Sequence, residues 1–521
     1  MSLLASENRV PAPSGYTSKH WLEESIWGHR LWHRQTPWLI FLELLTVAAG
    51  RAKAGRPFGS TPHFTVDSFP ARQRRLLRHL LYRNSEIAMY AAKQRPDAEL
   101  WDAWIKYFSE QQDENKQIDV SFLRTRFARF RDFASAVKLL RETTVYPAGT
   151  ATEAASERRW TSFFVFPFGE PAIYEDLDVD FVRDTSRFGR TGDIVYQMLA
   201  RSKHATALKP VVDGFLNTSR QVTRLVAKLQ DPGADQWTQE DRTGSYLPYK
   251  SHPAYDRLAE DWLKIHQLNL AGYDAYQHYV TLGALHVLIY HLETAAAWAD
   301  WPRVHFICEV LGPRTPVRRL SIESFQQNEG ATMLALAGAW KRLTGGAEFK
   351  AMLTASQGLP EEDRIAEARD FLHRRLRLPE DEHVVAGTID DLLASVWSSI
   401  ESKAEDNLTL LHRAYGRSCG LVSRRGARQY RYAPTDLFLK TIVLATVDRR
   451  LELREFLHLL FERYHLVFGP NEANLVRGEA DFEGTVFEKN ARRLEERLKS
   501  MGMLNRLSDG VAFVENPHRA S

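Results

Sequence analysis

Cysteine is scarce: Cys308 and Cys419 are the only two in 521 residues. Two thiols leave no room for a disulfide framework or a four-cysteine zinc site, and they suit a reducing compartment. Long apolar runs are missing as well. No stretch approaches roughly 18 uninterrupted apolar residues, so no membrane span is expected; even Trp38 to Ala49 is broken by Glu43. The N-terminus lacks the basic segment and apolar run of a secretion signal, and the default expectation is a soluble protein of the cytoplasm. An excess of one charge is lacking too, since 69 Lys and Arg stand against 66 Asp and Glu, a net +3. The chain is no polycation, and any contact with nucleic acid must come from local patches.

Signature motifs are equally sparse. The sequence holds no Gly-x-x-x-x-Gly-Lys-Ser/Thr loop, no Gly-x-Gly-x-x-Gly turn, no His-Glu-x-x-His and no internal repeat. ATP hydrolysis by this chain is not expected, and no cofactor is implied. One catalytic string does occur, Gly416, Arg417, Ser418, Cys419, Gly420, which matches the Gly-x-Ser-x-Gly of a nucleophile elbow. An elbow needs a strand before the serine and a helix after it, whereas here a helix comes first and an arginine-rich loop follows. His29 and His33 stand four apart, which on one helical face is metal-ligand spacing; with no third ligand at helical spacing, no metal site is assigned. His278, His286 and His291 lie on one expected helix. At about 100° per residue they do not share a face, and they read as hydrogen-bonded interior or interface groups.

What is present is a mainly α pattern with small β elements, read as a multi-domain helical protein. Residues 1–16 are polar, with Pro11, Pro13 and Gly15, and read as a flexible tail. An N-terminal helical domain over 17–147 opens on Trp21, Trp27, Trp32, Trp38 and Phe41. Its Ser121 to Glu142 stretch reads as one helix, with Leu123, Phe127, Phe130, Ala134 and Val137 inward and Arg124, Arg126, Arg129 and Arg131 outward.

A central, mixed but mostly helical region covers 159–430. It begins with a strand-like run from Trp160 to Phe168 and an acidic concentration of Glu170, Glu175, Asp176, Asp178, Asp180 and Asp184. Clustered carboxylates hold Mg2+ for phosphodiester cleavage, which makes Asp176, Asp178 and Asp180 the candidate catalytic residues of a metal-dependent nuclease. No Lys or His accompanies them, as nuclease chemistry would want, and this favours a solvated acidic loop. Gly189 to Gly192 lead into a helix whose first N–H groups are suited to an anion. Arg314, Arg318 and Arg319 form a small basic group before helices over Ser324 to Leu343, Glu361 to Arg377 and Ile389 to Tyr415.

From 434 to 517 the pattern is that of a winged helix. Thr435 and Asp436 cap a first helix, and Leu453, Phe456, Leu457, Leu460, Phe461 and Tyr464 form the apolar stripe of a second. Phe487, Ala491, Leu494 and Leu498 line a third. Two short strands then flank Ser508, Asp509 and Gly510, a strong hairpin signal. DNA recognition by a third helix requires a basic outer face, and here Arg492, Arg493, Arg497 and Lys499 are offset by Glu488, Glu495 and Glu496. The segment before it is less mixed. Between Asn407 and Thr435 there is no Asp or Glu, while Arg413, Arg417, Arg424, Arg425, Arg428 and Arg431 occur with Tyr430 and Tyr432. Arginine binds phosphates bidentately and tyrosine stacks on bases, so this strip is the candidate nucleic-acid contact; the plainer alternative is a loop solvated by its arginines.

Pro434, Asp436, Leu437, Phe438, Leu439 and Lys440, then Glu462, Arg463, Tyr464, Phe468 and Gly469, then Arg506 to Gly510, resemble the C-terminal part of accessory proteins of bacterial anti-phage defence islands. Those islands couple DNA methylation or phosphorothioation to restriction beside a large ATPase. Val317 to Ser321, with Phe325 and Asn328, bears the same likeness. The resemblance covers these stretches only, and it implies a setting without carrying over any active-site residue. The expected function is a non-catalytic DNA-binding or scaffold subunit of a multi-protein defence system, one that docks an ATPase or nuclease partner. The alternatives are a metal-dependent nuclease using the acidic cluster, or a kleisin-like architectural protein whose terminal winged helix binds an ATPase head.

Overall fold

The structure is a computed structural model that describes residues 3–29, 31, 33, 35–62, 64–73, 77, 80–81, 86–111, 118–142, 190–216, 221–230, 236–237, 241–270, 274–301, 303–312, 315–378, 386–425, 428–477, 484–507 and 511–519. The strand expected over Trp160 to Phe168 and the acidic run from Glu170 to Asp184 lie outside the described residues.

The described residues are predominantly helical and are organised around the helix Asp274–Ala299. Its sequence carries so few charges that no polar stripe exists to face water, and the helix is buried on nearly every side. By length and composition it would cross a membrane, but 83% of its most apolar window is buried inside the protein, the mark of a core helix. Helices Pro253–Gln267, Pro316–Thr344, Leu408–Ser418 and Pro37–Lys53 pack around it. Its three histidines point, as their angular separation requires, to three different neighbours. His278 Nδ1 lies 2.7 Å from Thr441 Oγ1, His286 Nε2 2.7 Å from Asp261 Oδ2, and His291 Nε2 3.0 Å from Thr332 Oγ1. Each bond satisfies a polar group that would be costly to bury alone.

Two expected long helices are interrupted, each where a polar side chain bonds a distant segment. The Ser121 to Glu142 stretch divides into Phe122–Arg126 and Phe130–Glu142, with Phe127 extended between them. Asp97 accepts a hydrogen bond from the Phe130 backbone N–H at 3.2 Å, so the second piece takes its cap from another helix. Its inward face meets Trp101 and Trp104 in a cluster with Phe130 and Phe133. The Ile389 to Tyr415 stretch likewise divides, at Asn407. That side chain is buried, donates to Leu31 O at 2.7 Å and accepts from the His33 backbone at 3.1 Å. His29 and His33 are therefore not on one helical face: their helix stops at Trp27, Gly28 takes a φ of 96°, and His33 Nδ1 faces Asn407 Oδ1 at 2.8 Å.

At the C-terminal end come helices Asp436–Thr446, Leu453–Tyr464, Pro470–Arg477 and Gly484–Ser500. Thr435 caps the first, accepting from the Phe438 N–H at 3.3 Å. Strands Leu451–Glu452, Ala512–Val514 and Leu504–Arg506 form one antiparallel sheet in that order. The helix Leu453–Tyr464 ends earlier than Gly469 and Pro470 suggest, because His465 adopts a left-handed φ of 61°. The chain then forms a strand, Leu466–Val467, which pairs in parallel with Phe306–Ile307, and Pro470 begins a short helix in its favoured first position. Asn490 completes this junction. Its amide donates to Cys308 O and Phe468 O, both at 3.0 Å, and its oxygen accepts from the Val310 N–H at 2.9 Å. One continuous apolar core runs from Leu22 to Val514.

Candidate nucleic-acid interface

The arginine strip folds as a small hairpin. Strands Val422–Ser423 and Arg431–Tyr432 pair antiparallel, and the turn between them carries Arg424, Arg425 and Arg428. Tyr432 anchors it. The ring is buried against Phe306, with centroids 5.0 Å apart, and its hydroxyl accepts from Asn328 Nδ2 at 2.8 Å and lies 2.7 Å from His412 Nε2. The Tyr432 N–H donates to Ser321 Oγ at 2.9 Å, and the Glu309 N–H donates to Tyr432 O at 2.8 Å. These bonds fix the hairpin to the first turns of helix Pro316–Thr344.

The strip's arginines have different fates. Arg431 is not on the surface: its side chain is 10% exposed and paired through Nε with Glu309, itself 3% exposed. Both residues of its strand are buried, and Arg431 Nη2 donates to Arg425 O at 3.2 Å, which braces the turn. Arg413 gives Nε and Nη2 to Glu329 Oε1 at 3.2 and 2.8 Å. Its guanidinium lies 5.0 Å from the Tyr430 ring centre, and that of Arg424 lies 5.4 Å from the same ring. Phe325 stacks on Tyr430 as well, at 5.6 Å. Tyr430 is thus engaged by three neighbours and orients arginines, where a base-stacking ring needs an open face.

In the terminal unit, Arg497 is held by Asp436 and by Pro434 O, and the exposed Arg493 pairs with Glu496 at 2.6 Å. Arg417, Arg424, Arg425, Arg428 and Arg492 are exposed and have no carboxylate partner among the described residues. Three of these five sit on the one turn.

Beside that turn is an open groove of about 410 Å³, lined by Thr315, Arg318, Arg319, Ile322, Glu323, Gln326 and Gln429. The basic group near 318 and the strip near 428 are far apart in the chain, and tertiary packing brings them close: Arg318 and Arg319 line the groove, and of the strip Gln429, next to Arg428 in the chain, lines it too. No local signal joins them, and nothing in the sequence around Gln429 or Thr315 marks either as part of a site. A 29-residue helix opens here, and its positive dipole end adds to the arginines. Arg318 Nη1 is 4.0 Å from Glu309 Oε1, while Glu323 lies 3.6 Å from Arg319 and 3.7 Å from Arg477. The groove keeps a positive balance and offers positioned cations without an evident nucleophile.

Candidate acid–base and metal chemistry finds less support in the geometry. Asp176, Asp178 and Asp180 lie outside the described residues. Among the described residues no group of three or more His, Cys, Asp or Glu is placed to hold a metal ion. Ser418 ends a helix and Cys419 is buried, its thiol pushed up to about 12 by burial. The Gly192 N–H, expected to offer an anion site, already donates to the Glu43 carboxylate at 3.0 Å. Asp261 and His286 form a close pair, but both are fully buried, and Arg463 and Tyr464 also bond the carboxylate. That network joins helix Leu453–Tyr464 to Pro253–Gln267 and has no path to a substrate. No family model, curated protein or solved structure matches the chain.

Proposed function

We propose that this chain is a non-catalytic, DNA-contacting subunit of a cytoplasmic, multi-protein anti-phage defence system, and that its 434–517 unit is a winged helix that docks an ATPase or nuclease partner. The observation that carries the DNA reading is a turn bearing three arginines next to a groove lined by Arg318, Arg319 and the turn's own Gln429. On that turn Arg424, Arg425 and Arg428 stand exposed without carboxylate partners among the described residues, and Tyr432 anchors it. A set of unneutralised guanidiniums near the positive dipole end of a helix suits a phosphate backbone. The resemblance of the tail supplies the defence setting.

The winged-helix assignment rests on the order of its elements and on a sheet in which the first short strand joins the terminal hairpin. Its use for protein docking has a specific support. Leu507 and Val511, at the end of that hairpin, are 61% and 37% exposed, and the third helix carries both charges. An apolar tip with a mixed-charge helix suits a protein surface better than a phosphate backbone.

The test is the triple replacement of Arg424, Arg425 and Arg428 by Ala. DNA affinity should fall for every sequence alike, and the slope of log K against log salt should flatten by about 0.9 for each phosphate that is no longer neutralised. Folding should barely change, since exposed arginines contribute little to stability. Unchanged affinity and slope would refute DNA binding at this groove and leave partner docking as the function.

A further inference from the structure

A second cavity lies apart from the arginine groove, between helix Pro37–Lys53, the segment from Arg56 to Pro62, and helix Arg190–Ala200. Three guanidinium groups, those of Arg51, Arg56 and Arg201, line it. Two carboxylates offset them in part. Asp193 accepts from Arg51 Nη2 at 2.9 Å, and Asp67 lies 2.9 Å from Arg56 Nη1 and 3.8 Å from Arg51 Nη1. Arg201 has no carboxylate within ion-pair distance among the described residues. Its Nη atoms are spent on neutral acceptors, Leu247 O, Tyr249 O and Gln197 Oε1, at 2.9, 2.7 and 2.7 Å.

Two unsatisfied donors add an independent sign. The Nε–H groups of both Arg51 and Arg201 are buried and have no acceptor. An unpaired buried donor is costly, more so when charged, and such orphans signal an acceptor such as a water or an ion. Both belong to arginines lining one cavity that is short of negative charge. The exposed Ser60 and Thr61 line it too, adding hydroxyl donors. Its volume of about 30 Å³ compares with roughly 10–15 Å³ needed for one water. That admits one small polyatomic group and excludes a nucleoside.

We propose that this cavity binds a single tetrahedral oxyanion, as inorganic phosphate or as the terminal phosphoryl group of a phosphomonoester, whose charge completes the Arg51, Arg56 and Arg201 set. The site is independent of the DNA-binding reading and stands or falls separately from it.

The test is calorimetric titration of the full chain with inorganic phosphate in a low-chloride buffer, with phenyl phosphate as a second arm. Saturable binding of one phosphate per chain is expected, reduced at least tenfold in Arg56→Gln and in Arg201→Gln and retained in the groove triple variant. Displacement by phenyl phosphate identifies a terminal phosphoryl group as the ligand, whereas binding of inorganic phosphate alone identifies the free ion. Arg56 is partly exposed, so Arg56→Gln keeps the test sound if Arg201→Gln does not fold. Absence of saturable binding overturns the proposal in favour of trapped water. Loss of binding in the groove variant with retention in Arg56→Gln overturns it equally.

Discussion

Replacing Arg431 by Ala should destabilise the fold far more than replacing Arg425, six residues away in the same strip. Glu309 is 3% exposed and depends on Arg431 for its close ion pair; its other oxygen makes no hydrogen bond, and the next cation, Arg318, is 4.0 Å away. Removing one partner of a buried pair leaves an uncompensated charge and costs about 3–5 kcal/mol. Arg425 is exposed and gives only backbone groups to the network, its carbonyl to Arg431 and its N–H to Ser423 Oγ, so its truncation should stay within about 0.5 kcal/mol. A third variant separates charge from packing. With Arg431→Met and Glu309→Leu together, both charges of the close pair are gone and the remaining cation, Arg318, is 13% exposed, so most of the stability should return. Urea unfolding followed by the fluorescence of the 13 tryptophans reads all three, provided the m-value is unchanged. The reasoning fails if Arg431→Ala costs less than about 1 kcal/mol, or if the double variant is no more stable than the single one.

Acid should weaken the protein well before its carboxylates titrate. Burial holds His252 and His278 down to about 4, and His291 and His412 down to about 3, whereas in the unfolded chain they titrate at about 6.5. As pH falls below that value the unfolded state takes up protons first, so the stability these groups confer is intact above it and is lost towards pH 4 to 3. Within the window each contributes up to about 1.4 kcal/mol per pH unit, and equal urea midpoints at pH 7.5 and pH 5 would contradict this. Two glycines should respond to Ala with opposite signs. At Gly192 a Cβ would lie 2.2 Å from Glu43 Cβ and 2.7 Å from Leu44 N, which forces apart two packed helices at a cost of about 1–3 kcal/mol. At Gly214, inside a helix with nothing within 4 Å, Ala should stabilise by up to about 1 kcal/mol; thermal melts of the two variants, compared with the native chain, decide.

The features legible in the chain were those with local causes. The stripe from Leu453 to Tyr464, the Thr435 cap and the strands on either side of residue 508 each depend on residues within a few positions of one another. Periodicity and capping chemistry therefore reveal them. The breaks at Phe127 and Asn407 were not legible, because Asp97 and Leu31, which hold the chain there, come from distant segments. The short helix after Pro470 and the strand Leu451–Glu452 were equally hidden, the latter being a strand only because Val514 and Phe513 lie beside it. The candidate site shows the same division. Composition alone marks a strip of arginines free of acid from 407 to 435. Which of them meet solvent was decided by tertiary structure, since the burial of Arg431 depends on its pairing with Glu309, 122 residues away. Local sequence sets backbone preference, whereas burial and charge compensation depend on which remote segment packs alongside.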